Sequence, residues 1–187
     1  TTSGLTFALY CISQNKSVQE KLFKEQESIF GDDLLRDPTY SEVSGMKYLE
    51  TVIKESLRIY PAVPVIARKV VEDTSKFFIS FCTLDTTLML DILHMHRDPK
   101  LFEEPLAFRP ERFENVNSDQ KTAYNFVAFS AGPRNCIGNI CLERRTTVVG
   151  ASPRIYRIVH PGRCLPTKEE TSSRKLGCLV PITLELV

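Results

Sequence analysis

Three stretches of the chain repeat apolar residues at helical spacing. In "TTSGLTFALYCISQN", Leu5, Ala8, Leu9 and Ile12 fall on one side of a helix; nothing before it caps it, so it reads as the latter part of a longer helix. "SVQEKLFKEQESIFGDD" predicts a second amphipathic helix, with Val18, Leu22 and Ile29 apolar, Ser17 as cap, Glu20 three residues on, and Gly31 as the stop. A polar turn containing Pro38 follows, then a third helix over residues 46–60, which Pro61 and Pro64 end.

The period then changes. β-Branched and aromatic residues gather in "VPVIARKVV", "KFFISF" and "TTLMLDIL", predicting short strands in a small sheet. Residues 98–123 are polar and proline-bearing with little periodicity, and predict an ordered meander pinned by its aromatic residues. A glycine-rich turn, "FSAGPRNCIG", leads into a further helix over residues 139–149. Beyond Gly150 four prolines predict loop, with a terminal strand at "PITLELV". The fold class is therefore mainly α with a small β portion, without internal repeats.

Composition narrows the function classes. Of 187 residues, 42% are hydrophobic and 25% charged, which is ordinary for a globular domain or for part of a larger one. Lys plus Arg number 24 against 23 Asp plus Glu, and no segment interleaves basic with aromatic residues, so nucleic acid is not an expected partner. No apolar run reaches the roughly 20 residues that span a bilayer, so any membrane anchor is expected outside this sequence. The six cysteines form no CxxC pair, which favours a reducing compartment. With three histidines, and His94 and His96 the only close pair, a zinc site has little support.

Two local patterns carry candidate chemistry. At about 100° per residue, Leu49, Val52, Ile53, Ser56, Leu57 and Tyr60 share one side of the third helix. Glu55 and Arg58 fall opposite with Lys47 and Lys54, which on pattern alone describes a solvated ion pair worth about 0.2–0.5 kcal/mol. The turn around Cys136 is the second. A lone cysteine beside glycines is commonly a buried, unreactive thiol. Yet an iron ligand requires a rigidly held thiolate, and this turn offers glycines that let backbone approach a flat group, Pro133 as a stiffener, and a helix start just after the sulfur. Arg134 could pair with a carboxylate of such a group.

Phe129-x-x-Gly132-x-Arg134-x-Cys136-x-Gly138 resembles the haem-binding signature of the cytochrome P450 superfamily. Glu55-x-x-Arg58 and Pro110-Glu111-Arg112-Phe113 precede it in that family's order. The resemblance covers residues 1–145 of a single partial domain spanning 1–187, leaving 146–187 as a divergent tail. "TTSGLTFALY", "YLETVIKESLRIYPAVP" and "HRDP" look most like the microsomal fatty-acid hydroxylases of family 4, insect members included. It implies the carboxy-terminal part of the cytochrome P450 fold, with haem b bound through an axial thiolate, Cys136. Arg134 would hold a haem propionate; Phe129 would pack near the sulfur; Gly132 and Gly138 would allow close approach. Arg68 would be a second propionate partner or an exposed strand-end arginine. Glu55, Arg58 and Arg112 would form a buried triad locking the meander to the third helix. Val63, Val65 and Ile66 would face substrate or be ordinary strand residues. Thr1 or Thr2 would belong to the family's acid-Thr-Thr run, with the catalytic threonine expected at Thr1 or one position before this sequence.

The resemblance further implies a monooxygenase that takes electrons from an NADPH-cytochrome reductase, uses O₂ and oxidises an apolar small molecule. It would sit on the cytoplasmic face of the endoplasmic reticulum membrane, through an anchor absent from this chain. Lys121, Arg144 and Arg145 would meet an acidic reductase face or be scattered surface charges. The pattern also departs from the family: between Asp73 and Leu93 no Pro-Lys-Gly-Thr-like turn is evident, and Cys141 and Glu143 imply a short deletion after Cys136. By itself the chain is expected to be inactive, and the alternative to an enzyme is a truncated remnant that binds haem weakly or not at all. A cysteine-nucleophile hydrolase would need a His partner that the sequence does not place nearby.

Overall fold

A computed structural model of the chain describes residues 2–31, 36, 38–73, 82–114 and 124–137. The expected strand at "KFFISF", the helix over 139–149, the terminal strand, and Thr1, Gly138, Lys121, Arg144 and Arg145 lie outside the described residues.

Helix α1 (Thr2–Gln14) and helix α2 (Lys16–Phe30) are separated by Asn15 alone. The Asn15 side-chain amide donates to the Cys11 carbonyl at 2.7 Å and closes the end of α1. The expected cap at Ser17 is therefore corrected: α2 starts earlier, Asn15 occupies the cap position, and Ser17 is already helical. Instead of a capping box, Gln19 Nε2 donates to the Ile12 carbonyl at 2.8 Å and ties the new helix to the old one. At the other end Gly31 stops α2 with φ 60°, a left-handed value that glycine adopts at little cost.

The polar stretch after Pro38 is not only a turn. It contains helix α3 (Tyr40–Gly45), nucleated by a capping box in which Glu42 N–H donates to Thr39 Oγ1 at 3.4 Å and Thr39 N–H donates to Glu42 Oε2 at 2.8 Å. Arg36 also pairs with Glu42, and with Thr39 it holds that half-buried carboxyl down to about 2.

Helix α4 (Lys47–Ile59) is the centre of the structure. Its start, at Met46, lacks a cap of its own; Glu25 of α2 supplies one, accepting Tyr48 N–H at 2.6 Å and Leu49 N–H at 2.9 Å. Leu49, Val52, Ile53 and Leu57 bury against Ile12, Val18, Leu22 and Phe30 of the first two helices, with Met46 and Ala128 closing the cluster. The opposite side is not solvated as the pattern predicted. Glu55 and Arg58 are both 0% exposed, because residues 96–112 wrap over that side of the helix.

Strands β1 (Val65–Lys69) and β2 (Thr87–Asp91) pair antiparallel, from Val65 opposite Asp91 to Lys69 opposite Thr87. The turn that the sequence did not reveal precedes β2. Thr86 N–H donates to the Thr83 carbonyl at 3.1 Å, and Asp85 takes φ 69°, the conformation for which a glycine is usual. Helix α5 (Ile92–Met95) follows, and residues 98–114 form the meander, whose regular element is the 3-10 helix Pro110–Phe113.

Candidate functional site

The site has a buried base and an exposed face. At the base, Glu55 accepts four hydrogen bonds, and they come from both α4 and the meander. Arg58 grips it with two nitrogens, Nε to Oε2 at 2.8 Å and Nη2 to Oε1 at 2.9 Å. Arg112 Nε and the Arg109 backbone N–H reach Oε1 at 3.0 and 2.9 Å. Arg58 then extends to the carbonyls of His96 at 2.7 Å and Pro105 at 2.8 Å, while Phe102 lies 5.0 Å from its guanidinium. Arg112 donates to the carbonyls of Glu103 at 3.0 Å and Glu104 at 3.3 Å. The structure thus gathers Glu55, Arg58 and Arg112 into one network that fixes an irregular segment by its carbonyls. Such charges are tolerable away from water because nearly every donor and acceptor has a partner.

Above the base sits the segment 124–137. Ala128 is buried in the core cluster, and Phe126 and Phe129 pack against its edge. Ser130, at φ 62°, donates its N–H to the Val127 carbonyl at 2.8 Å; Gly132 takes φ 78°. Cys136 N–H donates to the Phe129 carbonyl at 2.8 Å, so the turn closes on itself with Cys136 at its mouth. Cys136, Arg134 and Gly132 are exposed, and Ile137 is 99% exposed. Cys11 contrasts with this thiol: buried in α1, it is pushed up to about 12 by burial and then by the charge of Glu55, and stays protonated.

Arg68, on β1, reaches the same turn from the sheet: its Nη2 donates to Ser130 Oγ at 3.1 Å. Strand alternation puts Arg68 on the face shared with Ile66, Leu88 and Leu90. Val63 and Val65 are exposed at the start of that strand. Cys136 and Arg134 are exposed, Arg68 meets the turn at Ser130, and nothing stands within 4 Å of where a Gly132 Cβ would lie; a thiol, two guanidinium groups and the exposed Val63 and Val65 are the chemistry that suits a flat apolar group carrying carboxylates.

Sequence reading assigned no role to Ser130 or to the backbone of Arg109, and considered His96 only as half of a histidine pair. The two histidines separate in the structure. His94 is exposed, with Nδ1 2.7 Å from Asp91 Oδ2, whereas His96 is fully buried and its Nε2 accepts the Val127 N–H at 3.0 Å. The sole signal for His96 was its place in "HRDP".

A profile of the family described as Cytochrome P450 matches residues 1–140. Among curated relatives, "Cytochrome P450 4e5, mitochondrial" of Drosophila mettleri is 40% identical over 175 residues, covering 93% of this chain and 32% of that protein. "Cytochrome P450 4e2" of Drosophila melanogaster is 40% identical over 180 residues, with the same two coverages. "Cytochrome P450 4V2" of Mus musculus is 41% identical over 138 residues, 74% of this chain and 26% of the relative. The chain belongs to the cytochrome P450 family, and all three relatives carry the family 4 designation. It spans about a third of the length of the curated relatives it matches.

Proposed function

We propose that this chain is the haem-cradling part of a haem-thiolate monooxygenase of the family 4 type. The observation that carries the reading is the closed turn from Phe129 to Cys136, which leaves Cys136 exposed while Arg68 arrives from a separate strand. Cys136 would hold the iron as thiolate, Arg134 and Arg68 would hold the carboxylates, Phe129 would pack beside the sulfur, and Gly132 and Gly138 would leave room. When bound, haem b supplies the iron that binds O₂ and the electron transfer that no side chain provides. The chain's share is position: the triad fixes the meander, and the core fixes Ala128 beneath the turn, so the sulfur is held on a rigid base.

In the whole protein, electrons would come from an NADPH-cytochrome reductase, and one oxygen atom would enter an apolar, fatty-acid-like or xenobiotic substrate. Val63, Val65 and Ile66 supply an apolar edge for such a molecule. Thr1 would assist oxygen chemistry. The endoplasmic reticulum membrane is the proposed location, cytoplasmic face. Residues 1–145 would form the cradle and 146–187 a divergent extension of the same partial domain.

The test is the reduced, carbon monoxide-treated spectrum of the haemin-loaded chain. The reading expects the red-shifted band of a thiolate-ligated haem, lost in Cys136→Ala. A chain that takes up no haem, or a band that survives in Cys136→Ala, overturns it, the former in favour of a non-catalytic remnant.

A further inference from the structure

We propose that His96 is the positioning residue of the thiol turn, fastening the segment that leads to Cys136 onto the buried Glu55–Arg58 pair through opposite ends of one residue. The His96 carbonyl accepts Arg58 Nη1 at 2.7 Å, and its ring nitrogen Nε2 accepts the Val127 N–H at 3.0 Å. Val127 is next to Ala128, the turn's core anchor, and its carbonyl accepts Ser130 N–H at the left-handed bend. Phe126 stacks on the imidazole at 5.3 Å with 17° between planes, and Phe102 of the meander meets its edge at 6.3 Å. One residue therefore joins α4, the meander and the base of the thiol turn.

The chemistry of that contact is specific. Nε2 accepts only in the neutral ring, which obliges Nδ1 to carry the proton; Nδ1 is buried and makes no hydrogen bond of good geometry among the described residues, with only the Arg58 backbone drawing on the ring. Such an orphan donor costs stability, and it persists because the neutral acceptor is what the Val127 amide needs. Protonation turns Nε2 into a donor and sets two N–H groups against each other. The charged group facing the ring is Arg58, from α4, with Glu55 compensating it; the other neighbours present the rings of Phe102 and Phe126. Burial is the largest cause and the Arg58 charge adds to it; together they outweigh the opposing pull of the Arg58 backbone and hold the imidazole down to about 4, so the clasp stays shut at neutral pH.

What the clasp does for an iron ligand rests on the haem reading above, but the clasp is measurable without haem. Hydrogen exchange of the haem-free full chain, followed by mass spectrometry and corrected for intrinsic pH dependence, compares peptides from residues 124–137 with peptides from α4. His96→Leu, which removes the acceptor, should speed exchange in 124–137 roughly tenfold, the scale of an unpartnered buried amide, while α4 stays protected. His96→Gln, which keeps an acceptor and cannot titrate, should restore protection and hold it as pH falls from 6.5 to 4. If His96→Leu does not fold, the wild-type chain decides by itself: exchange in 124–137 should rise before that of α4 on acidification. Unchanged exchange in His96→Leu, equal damage in His96→Gln, or wild-type peptides that open together, contradicts the proposal. Failure to bind haem alters none of these readings.

Discussion

Glu55 is more constrained than any surface ion pair could make it, since both its oxygens are engaged and no face of it meets water. Removing one partner strands the rest in a low-dielectric interior. Arg58→Ala should lower unfolding stability by about 3–5 kcal/mol in urea titration, whereas an exposed pair would lose about 0–1 kcal/mol. A loss of the smaller size would mean that water enters the network. Helical periodicity could not reveal this burial. It sorts residues by the face of their own helix, and what covers that face is a segment about 50 residues later with no period at all. The resemblance named Arg112 as the partner that the pattern lacked, and "ESLR" and "PERF" are bonded across that gap.

At the scale of elements, the helices with strong apolar period were legible, and the short or irregular ones were not. α3 went unseen although "TYSE" holds the Thr39 and Glu42 of a capping box, since a six-residue helix has too few turns to show a period. The turn before β2 was missed for a different reason: its left-handed position carries Asp85 rather than glycine. Aspartate tolerates that conformation and a β-branched residue does not. Asp85→Val should therefore cost about 1–2 kcal/mol in thermal or urea unfolding, while Asp85→Gly should stay within about 0.5 kcal/mol of the parent, its exposed contact with Lys69 adding little. Equal stabilities for the two variants would remove the left-handed turn. The thiol turn itself was legible as a motif, but the approach of Arg68 to Ser130 was not, because no local rule connects a strand residue to a turn 62 positions away.

For the whole molecule, His96 couples protonation to folding. Its folded-state value, about 4, lies below the ordinary 6.5, so between these pH values the unfolded chain takes up a proton that the folded chain refuses. The stabilisation is complete above about 6.5 and is lost as pH falls toward 4, by up to about 3 kcal/mol. Urea midpoints measured between pH 7 and 4.5 should drop over that window, and His96→Gln should flatten the drop; an unchanged slope in that variant would assign the acid sensitivity elsewhere.

The core at Ala128, and the charge network acting through His96 on Val127, both hold the segment that carries the Cys136 sulfur. X-ray absorption at the iron edge of the haemin-loaded chain examines that sulfur directly. A sulfur scatterer bound to iron, absent from Cys136→Ala, is the predicted result. A first coordination sphere of nitrogen and oxygen alone, or a sulfur shell that persists without the Cys136 side chain, would contradict it.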